Sequence, residues 1–363
     1  MLDRFNLRMA MALDLLDRLL NLGAVDGRLD ERCELTAPWA LDNARSAQRE
    51  MPYHAVLSGS AVIEGPGLPP TTLHAGDVLM LPSGEAHRIV DRGDAANGWN
   101  GANGSKGAHS ALARTKRPPA VTVHEAADEA TVLLCGRFVL TYSAWRLYRS
   151  LLPEFVVVRT SAEGTRRLLE QTQDQTQERS DAAASRLSRL LALMREETDQ
   201  AEPGYAAVLR NLSAALFGLT LRAALHGAQP PSGMLALAAH PRLRELAVQI
   251  VQAPSQAWTI EEMAAAANMS RSSLIRGFGA AVGMAPAEFV TRVRIAEASR
   301  LLKESEQSVA AIGEAVGYAS EAAFQRAFKR ETDVTPAAWR AMPIAPAEPP
   351  RPPRRVIAGG GKS

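Results

Sequence analysis

Residues 320–330 read SEAAFQRAFKR and repeat, at an offset of 50, residues 270–278, which read SRSSLIRGF. Both copies begin with a serine, have apolar residues four and eight positions later, and carry an arginine six positions later. A serine before a helix accepts hydrogen bonds from backbone N–H groups of the first turn, and residues four apart share one helix face. The repeat therefore predicts two capped helices, each with a buried apolar face and an outward arginine.

A further short helix is predicted in front of each copy, at residues 260–267 after Thr259 and at residues 309–316 after Ser308. A helix, a tight turn and a second, capped helix form a helix-turn-helix, the unit that places its second helix in the DNA major groove. Two copies on one chain predict two adjacent major-groove contacts, about 10 base pairs apart if a single helix joins them.

Roughly residues 240–340 resemble the AraC/XylS-type transcription regulators. The family's C-terminal signature is present as Gly317-Tyr318-Ala319-Ser320, Phe324, Arg326 to Arg330, Thr335-Pro336 and Arg340. The family's linker helix and first recognition helix have their counterparts in Arg294-Ile295, Ala298, Leu301-Leu302 and in Met269 to Arg271, Leu274, Arg276 and Phe278. Ala322 departs from the usual serine and Asp333 from the common glycine. The resemblance implies a regulator whose partners are double-stranded DNA and RNA polymerase.

Base reading is expected from outward residues in the first turns of the two recognition helices. These are Arg271, Ser272, Ile275, Arg276, Glu321, Ala322, Gln325 and Arg326. Arginine suits guanine or phosphate, glutamine suits adenine, and an apolar side chain suits the thymine methyl group. An intramolecular salt bridge is the alternative role for Arg276 and Arg326, and Arg294 is equally well explained as a structural tie between the two motifs. Lys329 and Arg330 are expected to face phosphates or solvent.

Residues 33–158 show a different pattern, in which short β-type runs are broken by Gly and Pro. The runs lie at residues 55–57, 61–64, 78–81, 88–90, 130–134 and 138–141. This spacing predicts a small antiparallel barrel or sandwich. Residues 93–119 interrupt the pattern with a long loop rich in Gly, Asn and Ala.

Residues 76–87, which read GDVLMLPSGEAH, resemble the second sequence motif of the cupins. The first cupin motif is degraded, because only His54 and Glu64 stand where a metal-binding cupin presents two histidines and an acid. A cupin metal needs about three histidines and a carboxylate, so we expect no metal and no catalysis. A metal at His54 and His87, and a cupin enzyme fused to a DNA-binding domain, remain the alternatives.

A sensor barrel holds a small ligand at its mouth. The candidates for the lining of such a pocket are Trp39, Tyr53, His54 and His87. His74, at the start of the Gly76 turn, is expected on the surface. The sequence does not name the ligand, and a constitutive DNA-binding protein with the cupin as a dimer scaffold is a further alternative.

The chain has two cysteines, Cys33 and Cys135, both in the barrel half. Their contexts resemble those in cupin-bearing AraC-type regulators that include redox-responsive, reactive-chlorine-sensing members. A redox pair requires a thiolate favoured by nearby positive charge, which Arg32 and Arg137 are placed to supply, and a partner thiol within bridging distance. A structural role as small buried apolar residues is the alternative.

The predicted fold is α+β, in four parts. A cupin-like antiparallel β-barrel at residues 1–160 precedes a helical connector at 161–232, an all-α DNA-binding domain at 233–342 and a disordered tail at 343–363. The connector's leucines recur at helical spacing. They either cover the barrel or each other, or form the seam of a homodimer.

Composition limits the remaining possibilities. The net charge is only +2, so the DNA-binding interpretation rests on the motifs. No run of 18 apolar residues suggests a membrane span, and two cysteines in 363 residues do not form a disulfide framework. We therefore expect a cytoplasmic protein with no membrane contact. The sequence does not distinguish an activator from a repressor.

Overall fold

The computed structural model describes residues 15–20, 25–91, 120–123, 130–141, 145, 148–149, 151–160, 174–225, 233–342 and 356–358. The predicted loop at residues 93–119 lies outside these ranges. The chain divides into two compact units. The barrel unit contains residues 26–139, 154–228 and 349–363, and the helical unit contains residues 1–25, 140–153 and 229–348. In this division the helices of residues 174–224 group with the barrel strands, and residues 140–153 group with the helices of residues 233–342.

The barrel unit is built from two sheets of mainly antiparallel strands, which confirms the predicted cupin-type architecture. The first sheet has the order β10-β6-β3-β9-β1-β8 and the second β11-β2-β7-β4-β5. The strands are β1 (Val25–Leu35), β2 (Trp39–Asn43), β3 (Glu50–Ser58), β4 (Ser60–Gly65), β5 (Leu68–His74), β6 (Val78–Met80), β7 (His87–Asp91), β8 (Ala120–Val123), β9 (Thr131–Leu140), β10 (Val156–Val158) and β11 (Val356–Ala358). Only β1 and β8 are seen to pair in parallel among the strand pairs that the structure describes.

The inner faces of the two sheets form one apolar cluster. Its buried members are Cys33, Leu35, Trp39, Leu41, Val56, Ala61, Ile63, Leu68, Leu73, Leu79, Leu81, Ile89, Leu133 and Cys135. Members of one strand lie mostly two residues apart, as the alternation of side chains along a strand requires. Both cysteines therefore belong to the interior of the barrel.

The predicted break between residues 134 and 138 is wrong, because β9 runs through it. Gly136 lies in this interval, and a glycine inside a strand permits close backbone approach. A side chain at Gly136 would overlap the carbonyl oxygen of Arg28 and the ring of Tyr53. The sequence pattern also missed β1, β2, β5, β8 and β10. Pro38 directly precedes β2, and β5 contains Pro69 and Pro70.

Two helices, α1 (Asp174–Gln200) and α2 (Tyr205–Ala224), complete the barrel unit. Leu187, Leu191 and Met194 of α1 are buried, as are Leu209 and Leu216 of α2. The apolar faces predicted from the leucine spacing are thus largely covered within the unit. This arrangement favours the first of the two roles expected for the connector, in which the helices cover the barrel or each other.

Between residues 233 and 342, the helical unit contains eight helices. They are α3 (Met234–Ala239), α4 (Pro241–Gln252), α5 (Ile260–Ala266), α6 (Arg271–Val282), α7 (Pro286–Glu304), α8 (Val309–Ala315), α9 (Glu321–Thr332) and α10 (Pro336–Ala341). Residues 15–20 are also helical, and the Tyr148 hydroxyl donates to the carbonyl of Leu19 at 2.7 Å. No helix among the described residues combines the length and apolar character needed to span a bilayer.

Three residues of the tail differ from the expectation of disorder. Val356–Ala358 form β11, which pairs antiparallel with β2 through Val356 and Leu41, Ile357 and Ala40, and Ala358 and Trp39. The flanking tail residues lie outside the described part of the chain.

Candidate functional site

Inside the barrel, His54 of β3 meets Cys135 of β9. The two residues are direct partners in the antiparallel register of these strands. The His54 Nδ1 atom lies 3.1 Å from the Cys135 sulfur, within hydrogen-bonding distance, and both side chains are fully buried. A thiol and an imidazole are therefore in contact inside the barrel.

The second imidazole of the cupin motif extends this contact. The Nε2 atoms of His54 and His87 are 2.7 Å apart, with the two rings close to perpendicular. The Nδ1 atom of His87 lies 2.9 Å from the carbonyl oxygen of Glu85. Cys135, His54, His87 and the Glu85 carbonyl thus form a continuous polar chain, which we call the Cys135–His54–His87 chain.

The cupin-motif turn fixes the strand that leads to this site. Gly76 has a positive φ of 90°, which a glycine adopts without strain. Asp77 is fully buried and accepts hydrogen bonds from the backbone N–H groups of His74 at 3.0 Å and Thr160 at 3.2 Å. Burial raises the pKa of the Asp77 carboxyl group. His74 itself has a side chain 52% exposed, in keeping with the surface position expected for it.

The structure does not support the expected role of Arg32 and Arg137 as positive charges for the cysteines. Arg32 forms ion pairs with Glu34 at 2.5 Å and with Asp199 of α1. Arg137 forms ion pairs with Asp30 at 2.9 Å and Glu50 at 3.3 Å. Carboxylates pair with both guanidinium groups. The polar group in contact with the Cys135 thiol is therefore the imidazole of His54. Sequence reasoning missed this pairing because nothing local to either strand sets their register.

Tyr53 lies apart from the other three residues that were expected to line a pocket. His54 and His87 are in contact, and Trp39 lies in the same apolar cluster. Tyr53 precedes His54 on β3 and points the other way: its ring stacks on Phe138 at 4.7 Å, and its hydroxyl lies 2.9 Å from the Ser213 hydroxyl of α2. Burial raises the pKa of Tyr53. Tyr53 therefore joins the contact between sheet and connector helix and lies apart from the histidines.

The histidine geometry does not fit a shared metal ion. A zinc ion needs about 2.0–2.1 Å to each ligating nitrogen, so two Nε2 atoms only 2.7 Å apart leave no room for an ion between them. Glu64, the third candidate ligand, instead pairs in register with Arg88 of β7. No group of three or more His, Cys, Asp or Glu that suits a metal occurs in the described part of the chain.

A small cavity reaches the outer end of the Cys135–His54–His87 chain. His87 and Glu85 line it, together with Gly65, Leu68, Leu81 and Phe155. Its volume is about 10 Å³, which is close to the minimum that holds one water molecule. The cavity therefore has room for about one water-sized molecule.

The helical unit contains both predicted helix-turn-helix motifs. Thr259 and Glu262 form a reciprocal capping box at the start of α5, and the Ser270 hydroxyl accepts from the Ser273 N–H at the start of α6. Ser308 and Ser320 cap α8 and α9 in the same way. Helices α6 and α9 end at left-handed residues 50 positions apart, Gly283 with φ 69° and Asp333 with φ 64°. Asp333 thus adopts the conformation for which a glycine is common in the family.

All eight residues expected to read bases are exposed on α6 or α9. Leu274, Phe278, Phe324 and Phe328 of the same helices are fully buried, as the repeat predicts. Ile275 is 49% exposed and is one of four large apolar side chains that are exposed among the described residues, with Leu193, Val208 and Met342. The exposed and buried faces of α6 and α9 are therefore the ones that the sequence repeat predicts.

Four of the eight already have intramolecular partners. Arg271 forms an ion pair with Glu261 at 3.0 Å, and the Ser272 hydroxyl lies 3.2 Å from the Ser270 hydroxyl. The other two bond to each other, because the Gln325 amide donates to the Glu321 carboxylate at 2.8 Å. Arg276 and Arg326 form no ion pair with any carboxylate of the described ranges. Both guanidinium groups are therefore exposed without an ion-pair partner in the described ranges.

Arg294 of α7 makes contacts that fit one of its two expected roles, that of a structural tie between the two motifs. Its Nε atom donates to the Pro254 carbonyl at 2.7 Å and an Nη atom donates to the Gln256 carbonyl at 2.8 Å. The guanidinium also lies 5.6 Å from the ring centre of Tyr318. Because Pro254 and Gln256 precede the first motif and Tyr318 belongs to the turn of the second, Arg294 joins the two motifs.

Comparison with known proteins assigns both units. The chain matches the cupin family over residues 14–183 and the helix-turn-helix domain family over residues 263–342. It is 28% identical over 330 residues to the RCS-specific HTH-type transcriptional activator RclR of Escherichia coli, covering 90% of this chain and 97% of that relative. It is 27% identical over 332 residues to the HTH-type transcriptional regulator MtrA of Neisseria gonorrhoeae, covering 90% and 98%. The structure of the DNA-binding domain of AdpA with target DNA shares 32% identity and covers 27% of this chain and 87% of that one, with a TM-score of 0.26.

Proposed function

The chain is an AraC-type transcription regulator that joins a cupin domain to a helix-turn-helix domain, and we propose that its cupin domain senses an oxidant through Cys33 and Cys135. The observation that carries this proposal is the burial of both thiols in one cluster inside the barrel. The relative from Escherichia coli, whose length this chain covers almost fully, is named for its specificity toward RCS. Reactive chlorine is therefore the first oxidant to test.

The size of the cavity at His87 favours an oxidant over a larger effector. Pockets for drug-sized ligands have volumes of about 300–1,000 Å³, whereas this cavity has about 10 Å³. Hypochlorous acid and hydrogen peroxide contain two heavy atoms each. A molecule of that size is closer to the dimensions of this cavity than a bulky metabolite is.

Contacts of β1 supply a route from Cys33 to the connector. Arg32, the residue before Cys33, is buried and reaches Thr198 at 3.4 Å and the carboxylate of Asp199, both at the end of α1. A signal acts only if it stabilises one of two states more than the other. A bond that forms between Cys33 and Cys135 closes a loop of about 100 residues, and any shift of β1 acts directly on this ion pair.

On the DNA side, we propose that α6 and α9 enter consecutive major grooves on one face of the duplex. Exposed Arg271, Ser272, Ile275 and Arg276 then read one groove, and Glu321, Ala322, Gln325 and Arg326 read the next. The single helix α7 that joins the motifs supports this arrangement. RNA polymerase is the partner through which the bound protein acts on transcription, and a homodimer is the assembly to test.

The decisive experiment compares reduced and hypochlorite-treated full-length protein on its own binding sites. Genomic fragments bound by the protein are first mapped with and without oxidant, and the affinity for one fragment is then measured. We expect the affinity to differ between the two states, and we expect Cys33→Ser and Cys135→Ser each to abolish the difference while the reduced-state affinity is kept.

The double variant Cys33→Ser/Cys135→Ser controls for oxidation elsewhere, since the chain also has 11 methionines. If the double variant still responds to hypochlorite, the thiols are structural and the proposal is wrong. The cavity at His87 then becomes the first place to look for a small-molecule effector.

A further inference from the structure

We propose that His54 is the general base that removes the proton of Cys135, and that His87 is a positioning residue that holds His54 in the required protonation state. The inference deepens the proposed function and rests on it in one respect, namely that Cys135 is a site of oxidation. It adds two residues of the barrel to the sensing chemistry. In this proposal His54 takes the role that was expected of Arg32 and Arg137, because both arginines form ion pairs with carboxylates.

The Glu85 carbonyl fixes the direction of every hydrogen bond in the Cys135–His54–His87 chain. The Glu85 carbonyl oxygen can only accept, so the Nδ1 atom of His87 carries a proton and donates. A neutral His87 then has a bare Nε2 atom, which accepts from the Nε2–H of His54 at 2.7 Å. A neutral His54 in turn has a bare Nδ1 atom, 3.1 Å from the Cys135 sulfur. The hydrogen bond to the Glu85 carbonyl therefore directs the unprotonated Nδ1 atom of His54 toward the Cys135 thiol.

The interior needs such a base because a buried thiol is otherwise unreactive. Thiolates are the nucleophilic form, and apolar surroundings disfavour them. Around Cys135 the cluster consists of aliphatic side chains such as Leu133 and Val56. A base in contact with the sulfur removes the proton during the reaction, so no standing buried charge is required. The order thiol, imidazole, orienting group is that of the Cys-His-Asn arrangement in papain-like proteases.

The oxidation step is balanced with one molecule of hypochlorous acid. The sulfur attacks chlorine, an S–Cl bond forms, and the O–Cl bond breaks with its electron pair going to oxygen. The Cys135 proton passes to His54 Nδ1 and then to the departing hydroxide, which leaves as water. Sulfur is oxidised by two electrons and chlorine is reduced by two. With hydrogen peroxide, the sulfur attacks oxygen, the O–O bond breaks, and the same proton transfer gives a sulfenic acid and water.

The step can be tested on the full-length Cys33→Ser protein, in which Cys135 is the one remaining cysteine. Hydrogen peroxide is the probe, and trapping of the sulfenic acid followed by mass spectrometry gives the rate at each pH. His54→Asn keeps a hydrogen-bond acceptor near the position of Nδ1 but cannot take up a proton. We expect this change to lower the rate at neutral pH about 100-fold and to make it rise steeply towards alkaline pH, where the thiol ionises unaided.

The matched control is His74→Asn, because His74 lies on the barrel surface. We expect it to leave both the rate and the pH profile unchanged. A His54→Asn protein with the rate and profile of its parent would overturn the proposal. Melting temperature and DNA binding of the reduced protein show whether each variant is folded.

A second measurement needs no substitution of a histidine. Nitrogen NMR of the reduced protein reports which ring nitrogen carries the proton. The proposal requires the Nδ1–H form for His87 and the Nε2–H form for His54, and an Nδ1–H form of neutral His54 would contradict it. Neither measurement uses DNA. An unchanged DNA affinity after oxidation would therefore refute the proposed function while leaving the role of His54 to stand or fall on its own data.

Discussion

His54 and Cys135 face each other across two neighbouring antiparallel strands, with 3.1 Å between the imidazole Nδ1 atom and the sulfur. Their neighbours Tyr53 and Gly136 are also register partners and face the opposite side. There the Tyr53 hydroxyl meets Ser213 of α2. One strand pair thus carries the thiol site on its inner face and the contact with the connector helix on its outer face.

Gly136→Ala should strongly destabilise the barrel unit. An added methyl group would overlap the Arg28 carbonyl oxygen and the Tyr53 ring, and we expect a loss of about 3 kcal/mol or more in the free energy of unfolding. Thermal unfolding followed by circular dichroism measures it. Gly279→Ala on α6 is the control of opposite sign: a methyl group there meets no described atom within 4 Å, and alanine should stabilise the helix by about 0.5–1 kcal/mol. A tolerated Gly136→Ala would contradict the close packing.

Tyr53→Phe should weaken the barrel unit at neutral pH and reduce its sensitivity to alkali. Loss of the hydroxyl leaves Ser213 without this partner, at a cost of about 1–2 kcal/mol. Because burial raises the folded-state pKa of Tyr53, the unfolded chain loses the tyrosine proton first, near pH ~10. Stability is therefore retained below that pH and falls as the pH rises through it. From neutral to alkaline pH, the melting temperature of Tyr53→Phe should fall less steeply than that of the unsubstituted protein. Equal slopes for the two proteins would contradict this prediction.

The helical unit could be predicted closely from sequence, whereas the interior of the barrel could not. Thr259, Ser270, Ser308 and Ser320 cap helices through residues only three positions ahead, so the signal is local. The contact between His54 and Cys135 joins residues 81 positions apart. It depends on strand register, which no single strand specifies.

The same limit explains the errors at Tyr53 and Arg137. A shift of one residue along a strand moves a side chain to the opposite face, so Tyr53 was grouped with His54 although the two point apart. Arg137 was assigned to Cys135 from its proximity in sequence. The carboxylates that engage it, Asp30 and Glu50, belong to two other strands, which the sequence pattern did not bring to β9.

Arg276→Ala and Arg326→Ala should each weaken binding to the preferred DNA site by about 1–3 kcal/mol and relax specificity at one base pair. Neither guanidinium is committed to an ion pair in the described ranges. Affinities for the site and for single-base variants measure both effects. Arg300→Ala is the control, because Arg300 is bonded to Glu297 and Glu304 on α7. A uniform loss on all sequences would assign the arginine to a phosphate contact instead.

Arg294→Lys should destabilise the helical unit more than Arg292→Lys on the same helix. A lysine ammonium cannot reproduce the two directed bonds to the Pro254 and Gln256 carbonyls, so we expect a loss of about 1–3 kcal/mol. Arg292 forms only an i,i+4 pair with the partly exposed Glu288, for which about 0.5 kcal/mol or less is expected. Equal melting temperatures of the two variants would show that Arg294 does not tie the motifs.

Removal of the tail should leave specific DNA binding intact. A chain ending at Met342 lacks β11, and one ending at Ala358 retains it. We expect both to bind DNA like the full chain. Only the shorter one should lose a little stability, because three residues pair with β2. Loss of DNA affinity in the shorter chain alone would assign the tail a role in binding.

The grouping of α1 and α2 with the barrel strands limits where this protein can be recombined with its relatives. A chimera cut near residue 160 would separate Tyr53 from Ser213 and Arg32 from Asp199, and so leave polar groups of the donor barrel facing a foreign helix. A junction between Ala224 and Gly233 keeps those pairs together. Residues 15–20 and 145–153 would then have to travel with the DNA-binding helices, so an exchange of specificity between regulators of this kind requires three grafted segments.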